Sequence, residues 1–395
     1  MAEQLKGKKV FIFGAGNYGR QFCRLFFNTK FRTYFPDFEI VGFIDNNEKK
    51  QKHYICGFKV YSLERVKEMI FGHLEEYAII LSSPVMAPGM IEQLYLQFSE
   101  KIYCYLIPEW VLKLNITEEM EPYVLVPIDI TKPVLSRIEF KVVHHCNLNC
   151  KGCNVLCGLR EEKCADWNEF KQSLIRLKDF FSNITTIKLL GGEPLLHPEL
   201  HKFIEAIRMV FPAANMEIHT NGLLIPTVEN RVFEAARKYE CSFIISSYPV
   251  TRVMLKKIED RLEKENMSYS VLGDMTVFKK RINPMGTCDR RANEKNCPQW
   301  YALYEGKLSR CFLWDSLRYL KNRFPEFKID EEKLHDYIDL YNTRLNGREI
   351  IQKLKKPTEY CIYCGMVDDD PELYEWSRAS EKDLNTIDSW LMSKK

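Results

Sequence analysis

Three cysteines, Cys146, Cys150 and Cys153, follow the apolar run 138–143 in the stretch Ile-Glu-Phe-Lys-Val-Val-His-His-Cys-Asn-Leu-Asn-Cys-Lys-Gly-Cys-Asn. The run reads as a strand, and a loop at the carboxyl end of a strand is where barrel and open-sheet α/β folds put their chemistry. Thiolates in such numbers are ligands of iron–sulfur clusters. The spacing C-x-x-x-C-x-x-C supplies three of them, so a cubane held here keeps one iron open to another ligand. A zinc site needs four closed ligands instead, and Cys157 or a nearby histidine would be the fourth.

The next stretch alternates. Helical spacing over 166–181 (Trp167, Phe170, Leu174, Leu177, Phe181) precedes a strand over 184–190 that ends in Gly191-Gly192-Glu193-Pro194. Further strands are expected over 216–219, leading to Asn221, over 242–246, leading to Tyr248, and over 268–272, with helices between them. Strand–helix alternation of this length means a parallel sheet, and about six units mean a partial (β/α)6 TIM barrel over residues 135–285. Backbone N–H groups bared by paired glycines, with one carboxylate beside them, suit an α-amino acid. Taken alone, the tetrapeptide also reads as a glycine turn capped by glutamate.

Together the cysteine spacing and the glycine pair on the following strand resemble the radical S-adenosylmethionine (radical SAM) enzymes. The resemblance implies a [4Fe–4S] cluster on Cys146, Cys150 and Cys153, with SAM chelated to its open iron. It also implies reductive cleavage of SAM to a 5′-deoxyadenosyl radical, hydrogen abstraction from substrate, and an electron donor such as flavodoxin or ferredoxin. Gly191, Gly192 and Glu193 would meet the SAM methionine group, and Asn221, Ser246 and Tyr248 its ribose and carboxylate. One departure stands out: the family usually has an aromatic residue before the third cysteine, near the adenine, and here it is Gly152.

Residues 1–108 read as a Rossmann-like domain. A strand from Lys8 to Phe13 runs into Gly14-Ala15-Gly16-Asn17-Tyr18-Gly19, then a helix, then a strand ending at Asp45. Glycines permit a tight turn and close approach of a phosphate to the helix N-terminus, and an acid at the second strand end accepts ribose hydroxyls. The segment resembles the nucleotide-binding head domains of some polysaccharide-biosynthesis enzymes, which implies NAD or a nucleotide-sugar as the ligand of Gly14, Gly16, Gly19 and Asp45. The proline-punctuated residues 109–134 are expected to be a linker.

Beyond the barrel, Cys297 and Cys311 flank a stretch containing Gly306 that reads as a hairpin, and Cys361-Ile-Tyr-Cys364 adds a second pair. Two separated pairs fit one metal centre, a zinc ribbon included. The region 286–375 resembles the SPASM and twitch extensions of radical SAM enzymes, which implies an auxiliary [4Fe–4S] cluster, with Cys288 spare, in a small cysteine-rich cap. Residues 376–395 are expected to end in a surface helix with Leu384, Ile387 and Leu391 on one face and no part in chemistry.

A net charge of +3 gives no argument for nucleic acid or an anionic membrane surface. No secretion signal or membrane span is evident, and 14 cysteines then point to metal or redox chemistry in the cytoplasm rather than to disulfides. The expected substrate is a carbohydrate or nucleotide-sugar. Modification of a ribosomal peptide or protein side chain is the alternative within the enzyme class. A zinc-binding, nucleotide-sensing scaffold is the alternative outside it.

Overall fold

The computed structural model describes residues 2–98, 102–113, 125–367 and 373–393. It divides into two compact units, one of Met1–Ser136, Lys178–Thr186 and Arg208–Asn215, the other of Arg137–Leu177, Ile187–Ile207 and Met216–Lys395.

The first unit is built on strands β1 (Lys9–Phe13), β2 (Glu39–Ile44), β3 (Tyr54–Ile55), β4 (Phe58–Tyr61), β5 (Tyr77–Leu81), β6 (Tyr103–Leu106) and β7 (Val126–Pro127). Their order in the sheet is β3-β4-β2-β1-β5-β6-β7. β1 runs parallel to β2 on one side and to β5 on the other. The chain thus leaves β1 in one direction and later returns to its opposite flank, and the glycine loop after β1 sits at that switch point. Along β1, Val10 and Ile12 enter one core and Phe11 and Phe13 another. A strand buried on both faces has no polar alternation, which is why this one reads as a continuous apolar run. Part of the expected linker belongs to this fold: Glu109–Lys113 is a short helix, and β7 pairs antiparallel with β6. Residues 114–124 of that linker lie outside the described residues.

The second unit carries an eight-stranded sheet in the order β12-β11-β10-β9-β8-β14-β15-β16. Five of its strands alternate with helices: β8 (Val134–Val143), α1 (Trp167–Phe180), β9 (Asn183–Gly191), α2 (Leu200–Val210), β10 (Asn215–Thr220), α3 (Asn230–Lys238), β11 (Cys241–Ser247), α4 (Pro249–Lys264) and β12 (Tyr269–Asp274). β11 is parallel to both β10 and β12. This is the partial barrel that the alternation predicts, with one difference. Among the described residues no sixth strand follows β12 in the sheet; β14 (Ala302–Tyr304) instead lies on the other side of β8, parallel to it.

β14 and β15 (Lys307–Ser309) form the expected hairpin, with Glu305 at φ +48° and Gly306 at φ +70° between them. Two left-handed residues in a two-residue loop make a turn whose twist matches its strands. β16 (Ile338–Asp339) extends this edge, and β13 (Val277–Lys279) pairs separately with β17 (Leu373–Glu375).

The expected terminal helix is much shorter. It covers Glu381–Leu384, followed by a single 3₁₀ turn, Ile387–Ser389, while Trp390 and Leu391 are buried. The Asn385 amide donates back to the Glu381 carbonyl, the Thr386 hydroxyl to that of Lys382, and the Trp390 indole to that of Asp383. Side chains competing for backbone carbonyls in this way end a helix.

Candidate active site

The three cysteines lie in the loop beyond β8. Left-handed residues at Asn149 (φ +48°), Gly152 (φ +64°) and Leu156 (φ +57°) wind that loop around them. Cys150 is buried, and Cys146 and Cys153 are half-buried. Hydrogen bonds converge on the sulfurs. The Leu148 amide donates to Cys146 Sγ at 3.4 Å, the Asn221 amide to the same sulfur at 3.6 Å, and the Trp376 indole to Cys150 Sγ at 3.0 Å. A hydrogen bond from Cys157, against the opposing cost of burial and aided by the backbone amides of Val155, Leu156 and Cys157, brings the Cys153 thiol down to about 6. Burial pushes Cys146 up to about 11 and Cys150 up to about 12. Donors aimed at sulfur favour thiolate, the form that binds metal, so the residues present fit an iron–sulfur cluster.

The glycine pair is laced to this loop. A Cβ on Gly191 would lie 2.1 Å from the Val143 carbonyl oxygen, and one on Gly192 would lie 1.7 Å from that of His145. The Gly192 and Glu193 amides are spent on the same carbonyls, at 2.8 and 3.0 Å. The expected bared N–H groups are not found at Gly192 and Glu193, whose amides are taken, and the carboxylate beside them is enclosed. Glu193 is fully buried and accepts from the Leu195 amide, the Thr220 hydroxyl and the Asn221 amide. Burial raises it to about 7 in spite of these donors. Its work is to tie the end of β9 to the end of β10. Asn221, so held, turns its own amide to Asn147 Oδ1 at 2.7 Å as well as to Cys146. Tyr248 stands within electrostatic reach of Cys146, Cys150 and Cys153. Ser246 is half-buried near the end of β11.

The other four thiols also gather. Cys311 follows β15, Cys361 lies within the 3₁₀ turn Glu359–Tyr363, and Cys364 follows that turn. Cys311 feels Cys297, Cys361 and Cys364, and Cys364 feels Cys288 as well. Thr358 Oγ1 contacts Cys361 Sγ at 3.1 Å, and the Asn283 amide donates to Cys288 Sγ at 3.2 Å.

In the first unit, Gly14 is at φ +112° beneath Ser82, whose hydroxyl donates to the Phe13 and Gly14 carbonyls. A Cβ on Gly19 would lie 2.1 Å from the Gly14 carbonyl oxygen, so that glycine serves close packing. Gly16 precedes helix Asn17–Phe26 without a side-chain cap, and its nearest neighbour is Lys50 Nζ, 3.9 Å from where a Cβ would be. Asp45 Oδ2 accepts from the Ala15 amide at 2.9 Å and pairs with Lys50 at 2.8 Å.

Sequence reasoning missed three things. Trp376 and Tyr374 reach the cysteine loop from some 220 positions away. A buried ion cluster joins Asp315 to Lys141 at 2.5 Å and to Arg160 at 2.9 Å. Arg160 also donates to the Val155 carbonyl, bracing the loop from behind. No local period announces such contacts; a lysine at 141, two residues before the end of the strand, was the available hint.

A 4Fe-4S single cluster domain family matches residues 137–268. The GTP 3′,8-cyclase of Sulfurimonas denitrificans is 26% identical over 153 residues, 34% of this chain and 46% of that protein. This chain spans less than half the length of the curated relatives it matches. Among solved structures, BtrN in complex with AdoMet and 2-DOIA is 18% identical, covering 59% of this chain and 94% of that one with a TM-score of 0.38. The UDP-D-quinovosamine 4-dehydrogenase of Vibrio fischeri is 26% identical, covering 31% of this chain and 95% of that one with a TM-score of 0.23. The resemblance to radical SAM enzymes is borne out for the cysteine-bearing segment.

Proposed function

We propose that this chain, whose residues 137–268 match a 4Fe-4S single cluster domain, is a radical SAM enzyme acting on a carbohydrate or nucleotide-sugar. The observation that carries the reading is the convergence of hydrogen-bond donors on the sulfurs of Cys146 and Cys150, beside Cys153, in one loop at the end of β8. A reduced cluster bound there together with SAM would supply the hydrogen-abstraction chemistry. The protein binds, orients and shields. Cys146, Cys150 and Cys153 hold the metal. With the Gly192 and Glu193 amides already used, the backbone groups left on that segment for a methionine ammonium are carbonyl oxygens. Asn221 and Tyr248 bound the same mouth.

Cys311 lies within electrostatic reach of Cys297, Cys361 and Cys364, and these four are read as ligands of an auxiliary cluster.

For the substrate, two features support a polar small molecule. One is the uncapped helix start at Gly16 with Lys50 beside it, a fit for a nucleotide phosphate. The other is the charged face of the barrel sheet, where Glu139 lies 3.7 Å from Lys188 and Glu217 lies 2.8 Å from His219. Saturable nucleotide-sugar binding, weakened by Gly16→Val, is expected.

The test of the reaction is a pair of substitutions. Cys150→Ala abolishes SAM cleavage, and Cys361→Ala lowers iron content while leaving some cleavage. Cleavage by the Cys150→Ala protein would overturn the cluster assignment, and unchanged iron in the Cys361→Ala protein would overturn the auxiliary one.

A further inference from the structure

We propose that β17 and the residue just after it, Trp376, are working parts of the cluster site: the Trp376 indole donates a hydrogen bond to the ligand sulfur of Cys150 and raises the potential of the centre. The inference rests on the reading of Cys146, Cys150 and Cys153 as cluster ligands.

The cysteine loop has a partner strand. The Lys151 amide donates to the Ser377 carbonyl at 3.0 Å, the Ala379 amide donates to the Asn149 carbonyl at 2.7 Å, and Cys150 and Arg378 form an antiparallel bridge between them. Lys151 Nζ pairs with Asp383 at 2.8 Å. Residues 377–379, just beyond β17, therefore run antiparallel alongside 149–151. In that register, the Trp376 Nε1–H lies 3.0 Å from Cys150 Sγ.

The same register accounts for Gly152. The Tyr374 hydroxyl donates to the Lys151 carbonyl at 2.8 Å, and a Cβ on Gly152 would lie 1.9 Å from that hydroxyl oxygen. The position before the third cysteine has no side chain because a side chain from the carboxyl-terminal strand already occupies the space. Tyr374 lies 6.1 Å from Phe278, Phe278 lies 6.0 Å from Tyr248, and Tyr248 lies 5.9 Å from Trp376, centroid to centroid. The aromatic surface missing from the loop is thus supplied from outside it.

A hydrogen bond to a cluster sulfur stabilises the reduced, more negative form more than the oxidised one, and so raises the midpoint potential. Phenylalanine at 376 keeps the ring packing and removes the donor; histidine keeps a ring N–H. The experiment is a redox titration, followed by electron paramagnetic resonance, of the anaerobically reconstituted full chain. The auxiliary centre is removed by Cys361→Ala in every protein compared.

At equal iron content, Trp376→Phe is expected to shift the midpoint to more negative potential. A change on the order of tenfold in the reduction equilibrium corresponds to about 59 mV for one electron. Trp376→His is expected to lie between that variant and the parent. A Trp376→Phe midpoint equal to the parent's overturns the inference. So does loss of the cluster from both variants, which would make Trp376 a packing residue only. A parent protein that takes up no iron overturns the ligand reading itself, an outcome distinct from either.

Discussion

Asp315 is 1% exposed and faces Lys141 and Arg160, both buried, with Arg318 at 3.0 Å on its other oxygen. Buried cations left without their counter-charge are costly, and breaking such a pair from one side costs about 3–5 kcal/mol. Asp315→Ala is therefore expected to destabilise the protein by roughly that amount in chemical denaturation. Burial works against the charged carboxylate, but Lys141 and Arg160 outweigh it and hold Asp315 well below its usual range. Its stabilising contribution is present above the unfolded-state value of 3.8 and is lost as pH falls through the lower folded-state value. The variant should thus show less acid-dependent loss of stability than the parent. An unchanged denaturation midpoint at neutral pH would mean that the ion cluster does not brace the cysteine loop. Glu193 shows the same economy at the site: its three donors come from the ends of two strands, which makes the acid of the Gly-Gly-Glu-Pro segment a fastener.

At the scale of elements, the β14–β15 hairpin leads directly into Cys311, so its turn controls where one auxiliary thiol stands. A Cβ on Gly306 would lie 2.3 Å from the Tyr341 ring, at a left-handed φ of +70°. Gly306→Ala combines backbone strain of roughly 1–2 kcal/mol with overpacking, and it is expected to lower both stability and auxiliary iron. Full iron with unchanged stability would contradict the role given to the turn. This hairpin was legible because a glycine between short apolar runs has one good solution. The cysteine triad and the two glycine loops were legible for a similar reason: their chemistry sits within a few consecutive residues. The terminal helix was not. Leu384, Ile387 and Leu391 have helical spacing, but side chains of Asn385 and Thr386 take the carbonyls a longer helix needs. The strand at 373–375 and Trp376 were hidden for another reason. Their partners lie far back in the sequence, and a contact at that separation leaves no local pattern.

For the molecule as a whole, each unit has its own sheet. The first has a doubly wound sheet with its glycine loop at the switch point, and the second has a partial barrel whose mouth carries the cysteine loop. Among the described residues no helix is long and apolar enough to cross a membrane. The cysteine spacing and the glycine pair carried the family resemblance, while the substrate stayed a matter of inference, because polar side chains on a sheet face recognise a class of molecule and not a single one. Everything proposed for the second unit depends on the three thiols holding a cluster able to cleave SAM. The most direct test is 5′-deoxyadenosine release from SAM by the anaerobically reconstituted, reduced protein, with iron, sulfide and zinc counted in the same sample. The account predicts release that scales with iron and is absent in the Cys150→Ala protein. Zinc without iron or sulfide, and no release, would contradict it.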